Sequence, residues 1–161
     1  MTADDVLRTQ LLALLDGGNA HMSFDEAVAD FPMDQINTTP PHVPYTPWRL
    51  LEHLRMTQRD ILDFARESRY SEMPWPEGYW PSRDAQADTA AWRRTIEQFR
   101  ADLGELRTMV ANPQTDLEAP LPFDRGHSLL REVLLVADHN AYHIGEFAIL
   151  RQVMDTWPAD R

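Results

Sequence analysis

The 161-residue chain has no cysteine. Disulfides, thiolate nucleophiles, iron–sulfur clusters and every zinc site built on sulfur are therefore excluded. Lysine is missing too, since all 15 basic residues are arginines. Without lysine there is no Schiff base and no lysine of a phosphate-binding loop. Glycine is scarce, and its 6 residues fall into neither a G-x-G-x-x-G nor a G-x-S-x-G spacing. Nucleotide cradles and serine-hydrolase elbows lose their usual support. Positive charge is outnumbered, 26 acidic residues standing against 15 basic ones for a net charge of −11. Such a surface repels phosphate backbones, so no nucleic-acid partner is expected. No run approaches the roughly 20 apolar residues of a membrane span. The opening residues Met1-Thr2-Ala3-Asp4-Asp5 are acidic, unlike a secretory leader. The expectation is a cytoplasmic protein without a membrane partner.

What remains is 43% hydrophobic, enough for a sizeable core and the right length for a single domain spanning 1–161. Apolar residues recur at helical spacing, and no strand alternation competes with them. A first helix is expected from about Asp4 to Asp16, ended by Gly17-Gly18-Asn19. A short one follows over Phe24 to Phe31, where Ser23 and Glu26 fit a capping box. Pro32 to Pro47 holds five of the 12 prolines and reads as an irregular crossover. Thr46-Pro47 then opens a helix reaching roughly Arg66. The stretch Tyr70 to Ser82 is too rich in proline to be helical throughout.

A third long helix is expected over about Asp84 to Ala111, with Trp92, Ile96, Phe99, Leu103, Leu106 and Val110 along a bundle seam. Ser128 caps the last, which runs to about Asp155. Its main stripe is Leu130, Leu134, Ala137, Ala141, Ile144 and Ala148, with Leu129, Val133, Val136 and Phe147 as a second stripe beside it. So wide an apolar arc suits a central helix. The pattern predicts an all-α, antiparallel four-helix bundle with a long crossover and a short extra helix.

The chemistry-bearing segment is Asp138-His139-Asn140-Ala141-Tyr142-His143-Ile144-Gly145-Glu146. His139 and His143 are four apart, so on a helix they share a side and can reach one metal ion. Spacing alone is weak, since about 0.2 such pairs arise by chance in a chain with this many histidines. The context adds weight: both rings interrupt the most apolar helix, where unpaired imidazoles are costly to bury. His53, between Leu50 and Leu54, is the candidate third ligand. Facing helices are where bundles assemble metal sites, and three histidines leave an open position on the metal. A lone buried histidine, by contrast, is more often a core residue with a satisfied hydrogen bond.

Pro47-Trp48-Arg49-Leu50-Leu51-Glu52-His53-Leu54, together with the His139–Glu146 segment, resembles the DinB/YfiT-like metal-binding proteins over almost the whole chain. The resemblance implies a four-helix bundle holding a divalent metal on His53, His139 and His143; zinc or nickel is the first expectation, although imidazole suits copper and iron alike. Members often carry glutamine where Glu146 stands. Some relatives look like transferases or isomerases that use low-molecular-weight thiols. The resemblance thus implies a small-molecule substrate, with a metal-dependent thiol S-transferase or a hydrolase as one reading. A non-catalytic metal- or small-molecule-binding stress-response protein is the other. No catalytic residue is assigned from sequence.

Glu52 and Glu146 are candidates to accept a hydrogen bond from a ligand imidazole or to act as a base, although acidic neighbours are usually a solvated face. Tyr142 is a candidate for placing its hydroxyl near the metal, although a satisfied buried tyrosine is the plainer expectation. His127 beside Ser128 reads as a helix cap, and His21 and His42 as turn residues. The aromatic run Trp75, Tyr79 and Trp80 either covers a pocket or meets a partner subunit, and it is the basis for expecting a homodimer.

Overall fold

The computed structural model describes residues 2–123 and 125–159. Among the described residues five helices form: α1 (Ala3–Asp16), α2 (Phe24–Val28), α3 (Pro47–Arg66), α4 (Thr89–Ala111) and α5 (Leu129–Val153). A 3-10 turn, Glu77–Tyr79, interrupts the aromatic segment. No strand forms among the described residues beyond one isolated bridge between Pro120 and Ser128. The helical-bundle expectation is met. Within the bundle α3 packs on α4 and α5, and α1 packs on the same two helices. The short α2 lies against α5.

Side chains that satisfy the first free backbone N–H groups set the helix starts. Thr2 accepts from the Asp5 amide and Ser23 from that of Glu26, each in a reciprocal capping box. Thr46 accepts from the Arg49 amide, with Pro47 in the first turn. Ser128 accepts from the Arg131 amide. The expected start of α4 at Asp84 is displaced to Thr89 because the Asp88 carboxylate caps the Ala91 amide. Helix α2 ends at Val28 rather than Phe31, since Ala29 is extended and Asp30 has a φ of 50°.

The two apolar stripes of α5 exchange roles. Leu129, Val133, Val136 and Phe147, expected as secondary, are the buried ones. In the stripe expected to lead, Ala137 and Ile144 are buried but Leu134 is 46% exposed. Tyr142, Ile149 and Val153 join Leu134 on an exposed apolar face. A broad apolar arc therefore marks a helix with one face in the core and a second one outside, not a helix enclosed on all sides.

Two apolar clusters fill the interior. One gathers Phe24, Phe31, Trp48, Leu50, Leu54, Phe99 and Phe147, with the Phe24 and Phe99 rings stacked at 3.9 Å. The other gathers Leu11, Leu15, Leu62, Leu106, Val110, Val133 and Val136. Polar links join the helices between them: Gln58 donates to the Phe99 carbonyl at 2.8 Å and accepts from Asn140 at 2.9 Å.

A candidate metal centre between two helices

His53 lies on the face of α3 that buries Leu50, Leu54 and Thr57, so the packing of that face carries the imidazole inward. On α5, His143 sits beside the buried Ile144 and Phe147, and His139 lies one turn earlier at the edge of the same face. Because α3 packs on α5, the three rings meet. Nε2 of His53 stands 3.1 Å from Nε2 of His143 and 3.3 Å from Nε2 of His139. One ligand atom from each residue falls within 4.8 Å of the other two.

Each ring is also fixed from behind. Nδ1 of His53 lies 2.6 Å from the Tyr79 carbonyl, an acceptor only, so this nitrogen carries the proton. Nδ1 of His143 lies 2.7 Å from the Glu146 carboxylate. Nδ1 of His139 lies 3.4 Å from Oγ1 of Thr57, whose own proton goes to the His53 carbonyl at 2.8 Å. With their protons at Nδ1, the rings turn three Nε2 lone pairs toward one point. Bare lone pairs at such separations repel, and a cation between them removes the conflict. The separations also match the roughly 3.3 Å edge of a tetrahedron with ~2.0–2.1 Å metal–nitrogen bonds. Three histidines in this arrangement fit a divalent metal ion.

Burial keeps two of the donors, His53 and His139, neutral. It lowers His53 to about 4, against the opposing pull of the Tyr79 carbonyl. His139 falls to about 3, chiefly through burial and then through the neighbouring imidazoles. A neutral imidazole is the form a metal binds.

The aromatic segment forms a roof. Trp80 stacks on His53 at 3.8 Å and 4°, and Tyr45 stacks on Trp80 at 5.3 Å. Arg49 ties the segment down by donating to the Pro81 and Pro44 carbonyls. Of the two roles expected for the aromatic run, Trp80 takes the covering one by stacking over His53, while Tyr79 is buried and Trp75 is 76% exposed.

The secondary candidates separate by geometry. Glu146 does accept from a candidate ligand imidazole. Glu52 turns away, bound by Arg55 at 2.6 Å and by the Thr95 hydroxyl at 2.8 Å. Tyr142 is exposed and not buried, its ring edge-on to His143 at 4.9 Å. Its phenol is raised by the charge of Glu146 and a hydrogen bond to it. The same carboxylate acts on Tyr45, which burial first and then Glu146 push up to about 12. His127 pairs with the buried Glu132 at 3.0 Å next to the Ser128 cap. His21 and His42 lie in turns as expected.

Thr57 and the Tyr79 carbonyl escaped sequence reasoning, whereas covering a pocket is one of the two roles expected for the run that holds Trp80. Thr57 had a usable signal, lying four residues after His53 on the same face. The Tyr79 carbonyl had none, because an irregular segment places it.

No helix among the described residues is long and apolar enough to cross a membrane. No curated protein and no solved structure is matched by the chain. The family model of the DinB superfamily does match, over residues 19–147, a span that takes in His53, His139, His143, the aromatic roof and Glu146. With most of its length so matched and its helices arranged as described, the chain belongs to the DinB superfamily.

Proposed function

We propose that the protein is a metal-dependent enzyme acting on a small molecule, with His53, His139 and His143 as the ligands of one divalent ion, zinc or nickel. The observation that carries this reading is the convergence of three individually oriented imidazoles on one point. Three neutral ligands leave the ion its full charge and an open position for substrate. A metal bound there supplies a Lewis acid that lowers the pKa of a coordinated thiol or water. A thiol S-transferase and a hydrolase are the two reactions this supports, and a chain without cysteine takes its thiol from a small-molecule partner. The reading places the protein in the cytoplasm, where such thiols stay reduced.

This chain's own groups do the positioning. The Tyr79 carbonyl, Thr57 and Glu146 hold the three rings in register. Trp80 shields one side of His53 from water. Homodimerisation belongs to the same proposal, supported by the exposed apolar face of α5. A non-catalytic metal- or small-molecule-binding role is the second reading, favoured by the closeness of the Trp80 roof.

An electrophile-and-thiol activity screen on metal-loaded protein, with His143→Ala as control, separates the two. Turnover that disappears in the variant supports the enzyme. Turnover that survives in it removes the triad from the chemistry. Metal bound without turnover favours the second reading.

A further inference from the structure

The three candidate ligands are supported by chemically different partners. His53 donates to a backbone carbonyl and His139 faces a hydroxyl, both neutral. His143 alone is backed by a carboxylate, that of Glu146, at 2.7 Å. Glu146 is thus the single formal charge among the three partners. It lies one turn along α5 from its histidine, so the backbone itself sets the pairing. Its surroundings are built to keep it in place: the phenols of Tyr45 and Tyr142, from the crossover and from α5, both interact with it. The carboxylate is neither fully buried nor free in solvent, its side chain being 28% exposed.

We infer that Glu146 is a positioning residue that sets the affinity of the site for a divalent ion. The inference rests on the proposed metal triad and adds to it. Two effects act together. The carboxylate holds the His143 proton on Nδ1, which leaves Nε2 as the donor atom. Its negative charge also partly offsets the dication, which three neutral ligands leave uncompensated. A glutamine at this position keeps the acceptor but loses the charge. Carrying glutamate rather than glutamine therefore makes the site bind divalent ions more tightly, through a residue that never touches the ion.

Two variants separate the effects. Glu146→Gln keeps shape and hydrogen bond while removing charge, and Glu146→Ala removes both. Zinc affinity is read by competition with a chromophoric chelator on the full chain, and the melting temperature of the metal-free protein serves as the folding control. The cobalt-loaded visible spectrum reports ligand geometry. Expected are a zinc Kd weakened about tenfold in Glu146→Gln and up to about a hundredfold in Glu146→Ala. The metal-free melting temperatures stay at the wild-type value, and the cobalt bands shift in Glu146→Ala more than in Glu146→Gln. A Glu146→Gln affinity within about twofold of wild type overturns the role of the charge. A loss of affinity matched by a fall in metal-free melting temperature also overturns it, because the carboxylate would then act through the fold. Wild-type protein that binds no zinc or cobalt overturns the triad and this inference together. Wild-type binding with indifferent variants overturns the inference alone.

Discussion

Two buried polar sites on α5, two turns apart, are built on opposite principles. Arg151, fully buried, donates to the carbonyls of Ala27, Ala29 and Thr156 at 2.6–2.9 Å and lies 3.9 Å from the centre of the Trp157 ring. Its polar contacts hold α2 and the segment after α5 to the bundle. The histidine site spends only its Nδ1 atoms on the protein and turns its Nε2 atoms on one another. Donors that end on acceptors make structure. Acceptors aimed at acceptors ask for a ligand. Burial alone would not have told the two sites apart, since His53 and His143 are nearly as inaccessible as Arg151.

The sharpest way to break this contrast is to exchange the roles. Arg151→Met should cost about 3–5 kcal/mol of stability in urea unfolding, because three carbonyls lose a charged donor. Metal stoichiometry per folded chain should not change. A small loss would mean that Arg151 does not hold the fold.

His143→Ala should do the reverse, abolishing metal binding while leaving metal-free stability within about 1 kcal/mol of wild type. In the wild type, zinc at a thousandfold excess over Kd should add about 4 kcal/mol by linkage, a gain the variant lacks. Far-UV circular dichroism should be unchanged by chelation, because Leu50, Leu54, Phe99 and Phe147 are buried by protein and not by metal. Loss of helix on chelation would merge the two sites into one structural unit.

Acid sharpens the comparison further. His53 and His139 are lowered from 6.5 to about 4 and about 3. From about pH 6.5 down to about 4 the unfolded chain therefore binds more protons than the folded one, by up to about two. Stability of the metal-free protein should fall as pH drops through that window and level out above it. Denaturant midpoints between pH 7.5 and 4.5 test this in wild type and in a His53→Ala variant, whose slope should be shallower. Equal slopes would remove His53 from the effect.

The smallest effect concerns the outer face of α5. A Cβ added at Gly145 meets nothing within 4 Å. Gly145→Ala should then raise the stability of the isolated chain by about 0.5–1 kcal/mol. A loss of stability at high protein concentration only, read from thermal melts over a dilution series, would show a second copy covering that face.

Local chemistry in the sequence was enough for three of the helix starts. Ser23 with Glu26, Thr46-Pro47 and Ser128 each announce a start, since a cap needs only a side chain and an amide three residues on. The i, i+4 pair His139 and His143 was equally legible, because helical periodicity alone puts both on one side. His53 could be named as a candidate for the same reason, as a polar ring on an apolar face. Which stripe of α5 faces inward was not legible, because both are apolar and only the positions of α1, α2 and α3 choose between them. The difference between Glu52 and Glu146 was hidden in the same way. Both are acidic residues near a candidate ligand, yet Arg55 and Thr95 draw one aside while the turn of α5 presents the other to His143. The sequence by itself determined where α2, α3 and α5 begin and which imidazoles sit on apolar faces, because those depend on neighbours within a turn or two. Only the tertiary structure decided that Nε2 atoms from α3 and α5 meet within about a tetrahedral edge of each other, and that Trp80 and the Tyr79 carbonyl close over them. Those contacts join residues 26 to 90 positions apart, and the packing of helix on helix brings them together.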